Sequence, residues 1–193
     1  LATCSTEHRC VASNPAVSRR TESASPPASN RKAIIPAGQP LPPQPSANEI
    51  SPEALASGVF RTGDVELPGD AKVKFLRDGK TATVAVYTQG TSAAISTNGK
   101  PDASIQLAPG AAPTGDEITM LMAGALPLVI HPDPKDIAVI GWGSGLSTHT
   151  LLGSPVPAKV DSIEIERAMV DGASLFGDRV ARGYNDPRSR IHI

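Results

Sequence analysis

At 193 residues the chain has room for one domain and a small second one, and 18 basic residues against 19 acidic ones leave a formal charge of -1. Such a balance raises no field of one sign, which removes nucleic acid and anionic membrane surfaces from the partners that charge alone recruits. No apolar run approaches the roughly 18 residues of a membrane span, and the opening LATCSTEHRC lacks the apolar core of a signal peptide, so a soluble, cytoplasmic chain is expected.

Eight of the first fifty residues are proline, and ESASPPASN and PAGQPLPPQPSANE add little that could form a core. Residues 1 to about 52 therefore read as a disordered arm or linker. The alternative is a proline-rich ligand, with Pro40, Pro42, Pro43 and Pro45 setting up a polyproline II turn. Cys4 and Cys10 lie in this arm without a zinc-ligand partner and read as incidental thiols. The chain begins with Leu1, which is not an initiator, and stops at RSRIHI inside what reads as a strand, so it is expected to be a piece of something longer.

From residue 53 to 112 the texture is that of a small antiparallel sheet of about four strands. Asp78-Gly79 and Asn98-Gly99 each separate two β-prone runs, the short-range signature of a hairpin. Ala82, Val84 and Val86 alternate with Thr81, Thr83 and Ala85, which predicts one buried face.

Residues 113 to 193 read differently. Thr114 and Glu117 have the spacing of a capping box, and Ile118, Leu121, Met122, Ala125, Leu126 and Val129 form one apolar stripe on the helix that follows, with a kink expected at Pro127. Then come a strand at Ile137 to Ile140, a helix at about Leu146 to Leu152, a strand at Val160 to Ile165, a helix at about Ala168 to Arg182 and the start of a strand at Arg190. On that last helix Met169, Ala173, Phe176 and Val180 share a face, and Gly172 and Gly177 weaken it. Strand and helix in alternation mean a parallel sheet with crossover helices. The fold class is thus α/β, a small antiparallel N-terminal domain followed by the first half of a Rossmann-like parallel sheet.

The stretch DIAVIGWGSGLSTHT carries the chemistry. Gly141, Gly143 and Gly145 sit at a strand-to-helix turn, where bare backbone lets the chain bend and a ligand approach. Glu164 follows 23 residues after Gly141, where an acidic side chain at the end of the second strand would take ribose hydroxyls. The alternative is a tight turn with no ligand and a solvated or N-capping Glu164. The sixth position of a dinucleotide fingerprint is Leu146 here, which disfavours NAD; G-x-G-x-G is the spacing of S-adenosylmethionine-type domains.

The run from Gly115 to Val170 resembles the spermidine synthase family, the polyamine aminopropyltransferases, and within it a spermidine-synthase-like branch often fused to a membrane transporter segment in bacteria. SGVFRTG, FLRDGKTATVAVY and STNGKPDAS add to the likeness, which covers about Ser57 to the end. It implies a β-strand domain followed by a methyltransferase-type Rossmann domain, binding decarboxylated S-adenosylmethionine and passing its aminopropyl group to a diamine such as putrescine. It carries the cofactor site over to Gly141, Gly143, Gly145 and Glu164, and places Asp116 near the amine end of the cofactor. The implied partners are a small polyamine or amine acceptor, a second copy in a homodimer, and a membrane segment in the parent protein.

The departures are specific. Met120, Met122 and Ala125 replace polar positions that would grip the polyamine, Asp102 stands where glutamine is usual, and Glu166 replaces an aspartate. Trp142 either covers the nucleoside or packs inward. The family's catalytic aspartate and its adenine-contacting acid belong past Ile193, so no catalytic residue is assigned. Two other functions stay open: a methyltransferase using ordinary S-adenosylmethionine, and a non-catalytic module binding a nucleoside or solute. His131 reads as a helix-end cap, His149 as surface, and His192 as part of a terminal strand; no metal site is expected.

Overall fold

The computed structural model describes residues 51–59, 63 and 65–193, together with the backbone of two short strands, β1 (Ala2–Cys4) and β2 (Arg9–Ser13). The rest of the stretch read as an arm, including its proline-rich part, lies outside the described residues, as do the side chains of Cys4 and Cys10.

Helix α1 (Pro52–Ala56) precedes the antiparallel sheet β3 (Lys72–Asp78), β4 (Thr83–Gln89), β5 (Ser92–Thr97) and β6 (Lys100–Gln106), paired in chain order. The β5–β6 hairpin turns on Asn98 and Gly99, with φ of 48° and 72°, the positive pair that matches the twist of the strands. The Asp78-Gly79 turn closes with the Gly79 N–H donating to the Ala82 carbonyl at 2.9 Å. Alternation in β4 predicted one covered face; instead Val84, Ala85, Val86 and Tyr87 are all buried. An inner strand of a sheet is exposed to packing from both sides, and only Val84 and Val86 join the core shared with the elements that follow.

Those elements open with helix α2 (Gly115–Ile130), begun by the predicted capping box: Thr114 accepts from the Glu117 N–H at 3.1 Å, and Glu117 reaches back to the Thr114 N–H. The face it buries is not the predicted stripe. Glu117, Met120, Gly124 and Pro127 point inward, while Ile118, Met122, Leu126 and Val129 are 40–81% exposed. The cause is close helix packing. A Cβ on Gly124 would stand 2.7 Å from the Ser147 carbonyl oxygen, so the helix turns its glycine toward its neighbour, and the buried Glu117 is held there by Arg179 and by the Gln106 N–H. Helix α2 also runs on past Pro127, to a C-cap at His131.

Beyond it, β7 (Asp136–Ile140), helix α3 (Leu146–Leu151), β8 (Lys159–Ile163) and β9 (Ser189–His192) alternate as expected, the three strands being parallel. On the other edge of β7 lies β2, parallel to it, with β1 antiparallel outside; an unpaired strand edge is a row of unsatisfied donors and acceptors that such pairing closes. The helix expected at Ala168 to Arg182 is three pieces: α4 (Arg167–Ala173), a 3-10 turn (Ser174–Arg179) and α5 (Ala181–Asn185). Gly177 breaks it, adopting φ 58° and ψ -130°, outside any helix. Arg188 then fastens the two loops before β8 and β9 together, donating to the carbonyls of Leu152, Ser154 and Pro157 and to Asp186.

One core runs between the two sheets: Val84, Val86, Ile95 and Ile105 from the first meet Met120, Trp142, Leu146, Met169, Ala173 and Phe176 from the helices and turn of the second. A smaller one, Ile137, Val139, Leu151, Leu152 and Val160, seals α3 onto β7 and β8. Thr114→Ala deletes the hydroxyl that caps α2 and is expected to lower stability by about 1 kcal/mol, read as a drop in midpoint on urea unfolding with an unchanged slope.

Candidate active site

At the carboxyl end of β7 the chain passes through three left-handed residues in five: Gly141, Gly143 and Gly145 have φ of 85°, 56° and 82°. A side chain with a Cβ enters that region only at a cost of about 1–2 kcal/mol per residue. Gly145 has a second reason to be bare. A Cβ there would lie 2.8 Å from the Trp142 ring.

That ring settles the alternative left by the sequence. Trp142 is 2% exposed and packs inward; its Nε1–H donates to the Tyr184 hydroxyl at 3.1 Å, the two rings meeting edge to face at 5.0 Å. Tyr184 passes the chain on to the Val170 carbonyl at 2.7 Å. Gly183 stands against the far edge of the indole, 2.8 Å from where its Cβ would be. Ser144 in the turn is buried as well, accepting from the Leu146 N–H at 3.2 Å and donating to Met120 Sδ at 3.0 Å. Met120, one of the departures noted above, is thus a core residue supporting the turn, whereas Met122 is exposed.

Glu164, one residue beyond β8, is brought to the turn. Its Oε2 accepts from the Trp142 N–H at 2.7 Å and its Oε1 from the Glu166 N–H at 2.9 Å, at 8% exposure. Each carboxylate oxygen keeps capacity for another donor. The three glycines and Glu164 therefore form one constellation at the carboxyl ends of adjacent parallel strands, where open α/β sheets bind ligands.

Strand β6 carries two further polar groups. Asp102 is the extra residue of a bulge in this strand and turns toward Thr97 and Lys100, whereas Ser104 lies in the row of Ala94 and Tyr87 on the other face. Asp102 sits 3.6 Å from Lys100 Nζ; burial raises its carboxyl above the ordinary range, Thr97 and Lys100 oppose this, and the negative charge of Glu164 adds to it. Ser104 donates to Asp116 at 2.7 Å. Asp116, in the first turn of α2, does not bond to Glu164 directly; its charge adds to burial in raising the Tyr87 phenol. Sequence reading missed Ser104 and Tyr87, which the pairing of β4 with β5 and of β5 with β6 aligns in one row through Ala94.

Glu166 was read as a departure and proves to be a junction. Its Oε1 caps α4 through the Ala168 N–H at 3.0 Å, and its Oε2 accepts from both the N–H and the hydroxyl of Thr81, at 2.8 and 2.9 Å. The Ala168 and Thr81 N–H groups hold this carboxyl down to about 2. The histidines lie elsewhere. His131 caps α2, His192 pairs with Asp161 at 2.9 Å, and half-buried His149 accepts from the Arg182 N–H, with burial and the Arg182 charge lowering its affinity for a proton. Among the described residues no three acidic, His or Cys groups converge as a metal site.

Two outcomes test this geometry. Gly145→Ala forces a side chain into the left-handed region and against the indole, and should cost at least about 1–2 kcal/mol, with a red shift in the emission of Trp142, the single tryptophan of the chain. Glu166, depressed from its ordinary 4.5 to about 2, contributes stability that is complete above about pH 4.5 and disappears as the pH falls toward 2. Glu166→Gln should therefore flatten that part of an acid titration followed by circular dichroism.

Residues 118–193 match the family described as the spermine/spermidine synthase domain. The chain is 35% identical over 68 residues to spermidine synthase 2 of Hyoscyamus niger, covering 35% of this chain and 22% of that protein. It is 38% identical over 63 residues to putrescine N-methyltransferase 2 of Nicotiana tabacum, 33% of this chain and 18% of that one, so it spans about a fifth of these curated relatives. A spermidine synthase solved in complex with the transition state analogue AdoDATO shares the fold at a TM-score of 0.53 and 18% identity, over 63% of this chain and 39% of that chain.

Proposed function

We propose that this chain, whose residues 118–193 match the spermine/spermidine synthase domain, holds the nucleoside of decarboxylated S-adenosylmethionine for aminopropyl transfer to a polyamine acceptor. The observation that carries the reading is the Glu164 carboxylate bonded to a turn of three left-handed glycines. Glu164 accepts the ribose hydroxyls, and Gly141, Gly143 and Gly145 let the nucleoside lie against bare backbone. The turn suits a ligand without phosphates. Its Gly145 N–H is taken by the Trp142 carbonyl and its Leu146 N–H by Ser144, so those donors are not turned toward an anion.

In the reaction the lone pair of the acceptor amine attacks the carbon beside the sulfonium. The C–S bond breaks, its electrons return to sulfur, methylthioadenosine leaves, and the amine proton passes to a base. No residue of this chain is assigned as that base. Asp102, whose carboxyl feels the charge of Glu164, and Asp116, which the family resemblance puts near the amine end of the cofactor, favour the ammonium end of the decarboxylated form and oppose the carboxylate of ordinary S-adenosylmethionine.

A methyltransferase is the second reading, favoured by the similarity to a putrescine N-methyltransferase. It differs in cofactor: a preference for the carboxylated form over the decarboxylated one would select it. We propose a cytoplasmic location and association with a second copy; separately, among the described residues no helix is long and apolar enough to cross a membrane.

Titration calorimetry with methylthioadenosine tests the site. Glu164→Ala is expected to weaken binding by about 1–3 kcal/mol, the scale of hydrogen bonds to a charged group. Unchanged affinity would remove Glu164 from the ribose.

A further inference from the structure

Segment 164–168 is pinned at two places. Glu164 grips the glycine turn through the Trp142 N–H, and Glu166 grips the tip of the β3–β4 hairpin through Thr81. The two are joined by the bond from the Glu166 N–H to Glu164 Oε1 at 2.9 Å, so the orientation of the Glu164 carboxylate depends on where the backbone of Glu166 is held. The hairpin reaches 85 residues back along the chain to hold it.

Helix capping alone does not require this arrangement. The cap of α4 uses Oε1, and an aspartate, the residue this position has in the family motif, serves as well for capping. The additional methylene of glutamate carries the other oxygen to Thr81. Gly79 keeps room for it: a Cβ there would stand 2.1 Å from the Glu166 carboxylate. The ion is buried, at 6% exposure, and three N–H or O–H donors compensate for its lost water.

We infer that Glu166, clamped by Thr81, is a positioning residue for the ribose-binding carboxylate Glu164, so that seating of the hairpin on the parallel sheet sets affinity for the nucleoside. The inference rests on the reading that Glu164 takes the ribose hydroxyls. It predicts a loss confined to ligands that have those hydroxyls.

The experiment compares methylthioadenosine with its 2′,3′-dideoxy analogue on the full chain, for wild type, Glu166→Asp, Thr81→Val and Glu164→Ala. Glu166→Asp keeps the charge and the helix cap but withdraws from the hairpin; Thr81→Val, at an exposed position, removes one of the two bonds from the other side and covers the case in which Glu166→Asp folds poorly. Both should bind methylthioadenosine about fivefold more weakly, and the dideoxy analogue as wild type does. An equal loss for both ligands, or none for either, overturns the inference and leaves Glu166 a structural cap. If Glu164→Ala does not distinguish the two ligands, the ribose reading itself fails, a result that does not involve the hairpin.

Discussion

The bond between the Trp142 N–H and the Glu164 carboxylate is where the architecture converges. It spans the carboxyl ends of β7 and β8, and it exists because three glycines let the chain turn the Trp142 amide toward β8 while the indole goes the opposite way, into the core. A residue with a Cβ at Gly145 would strike that indole. The turn and the tryptophan are thus one solution: bare backbone toward the end of β8, and on the other side a large ring held by Tyr184 and packed against Gly145 and Gly183.

The second constraint is the shared core. Neither sheet buries its apolar face alone; the Val84, Val86, Ile95 and Ile105 face of the antiparallel sheet packs on α4 and on the turn-supporting residues Trp142 and Leu146. Because this burial is common to both sheets, β6 is carried to where Asp102 feels Glu164 and Ser104 bonds Asp116. Polar contacts set the register of this packing. Glu117 with Arg179 and the Gln106 N–H, and Glu166 with Thr81, are both carboxylates buried against donors from a distant element, and each would be costly if its partners moved away.

Helix α2 illustrates how a polar contact overrides an apolar pattern. The periodicity of Ile118, Met122, Leu126 and Val129 is real, yet that face stays exposed. The helix is rotated so that Gly124 can approach α3 and Glu117 can reach its donors. A pattern of side chains records which residues share a face; it does not record how close a neighbour must come.

What the sequence by itself determined are the features whose cause lies within a few residues. Hairpins at Asp78-Gly79 and Asn98-Gly99, the capping box at Thr114, the strand and helix alternation after Asp136 and the glycine turn all follow from local φ preferences and side-chain to backbone bonds, and the 23-residue offset to Glu164 follows from the length of a βαβ unit. Tertiary structure decided what depends on partners far along the chain. It covered both faces of β4, broke the last helix at Gly177 where the chain must fold back toward β9, turned Trp142 inward, and gave Glu166 a partner in Thr81. None of these is visible locally, because burial and the pairing of a charged group are properties of whatever packs against a residue, and that neighbour is chosen by the whole fold.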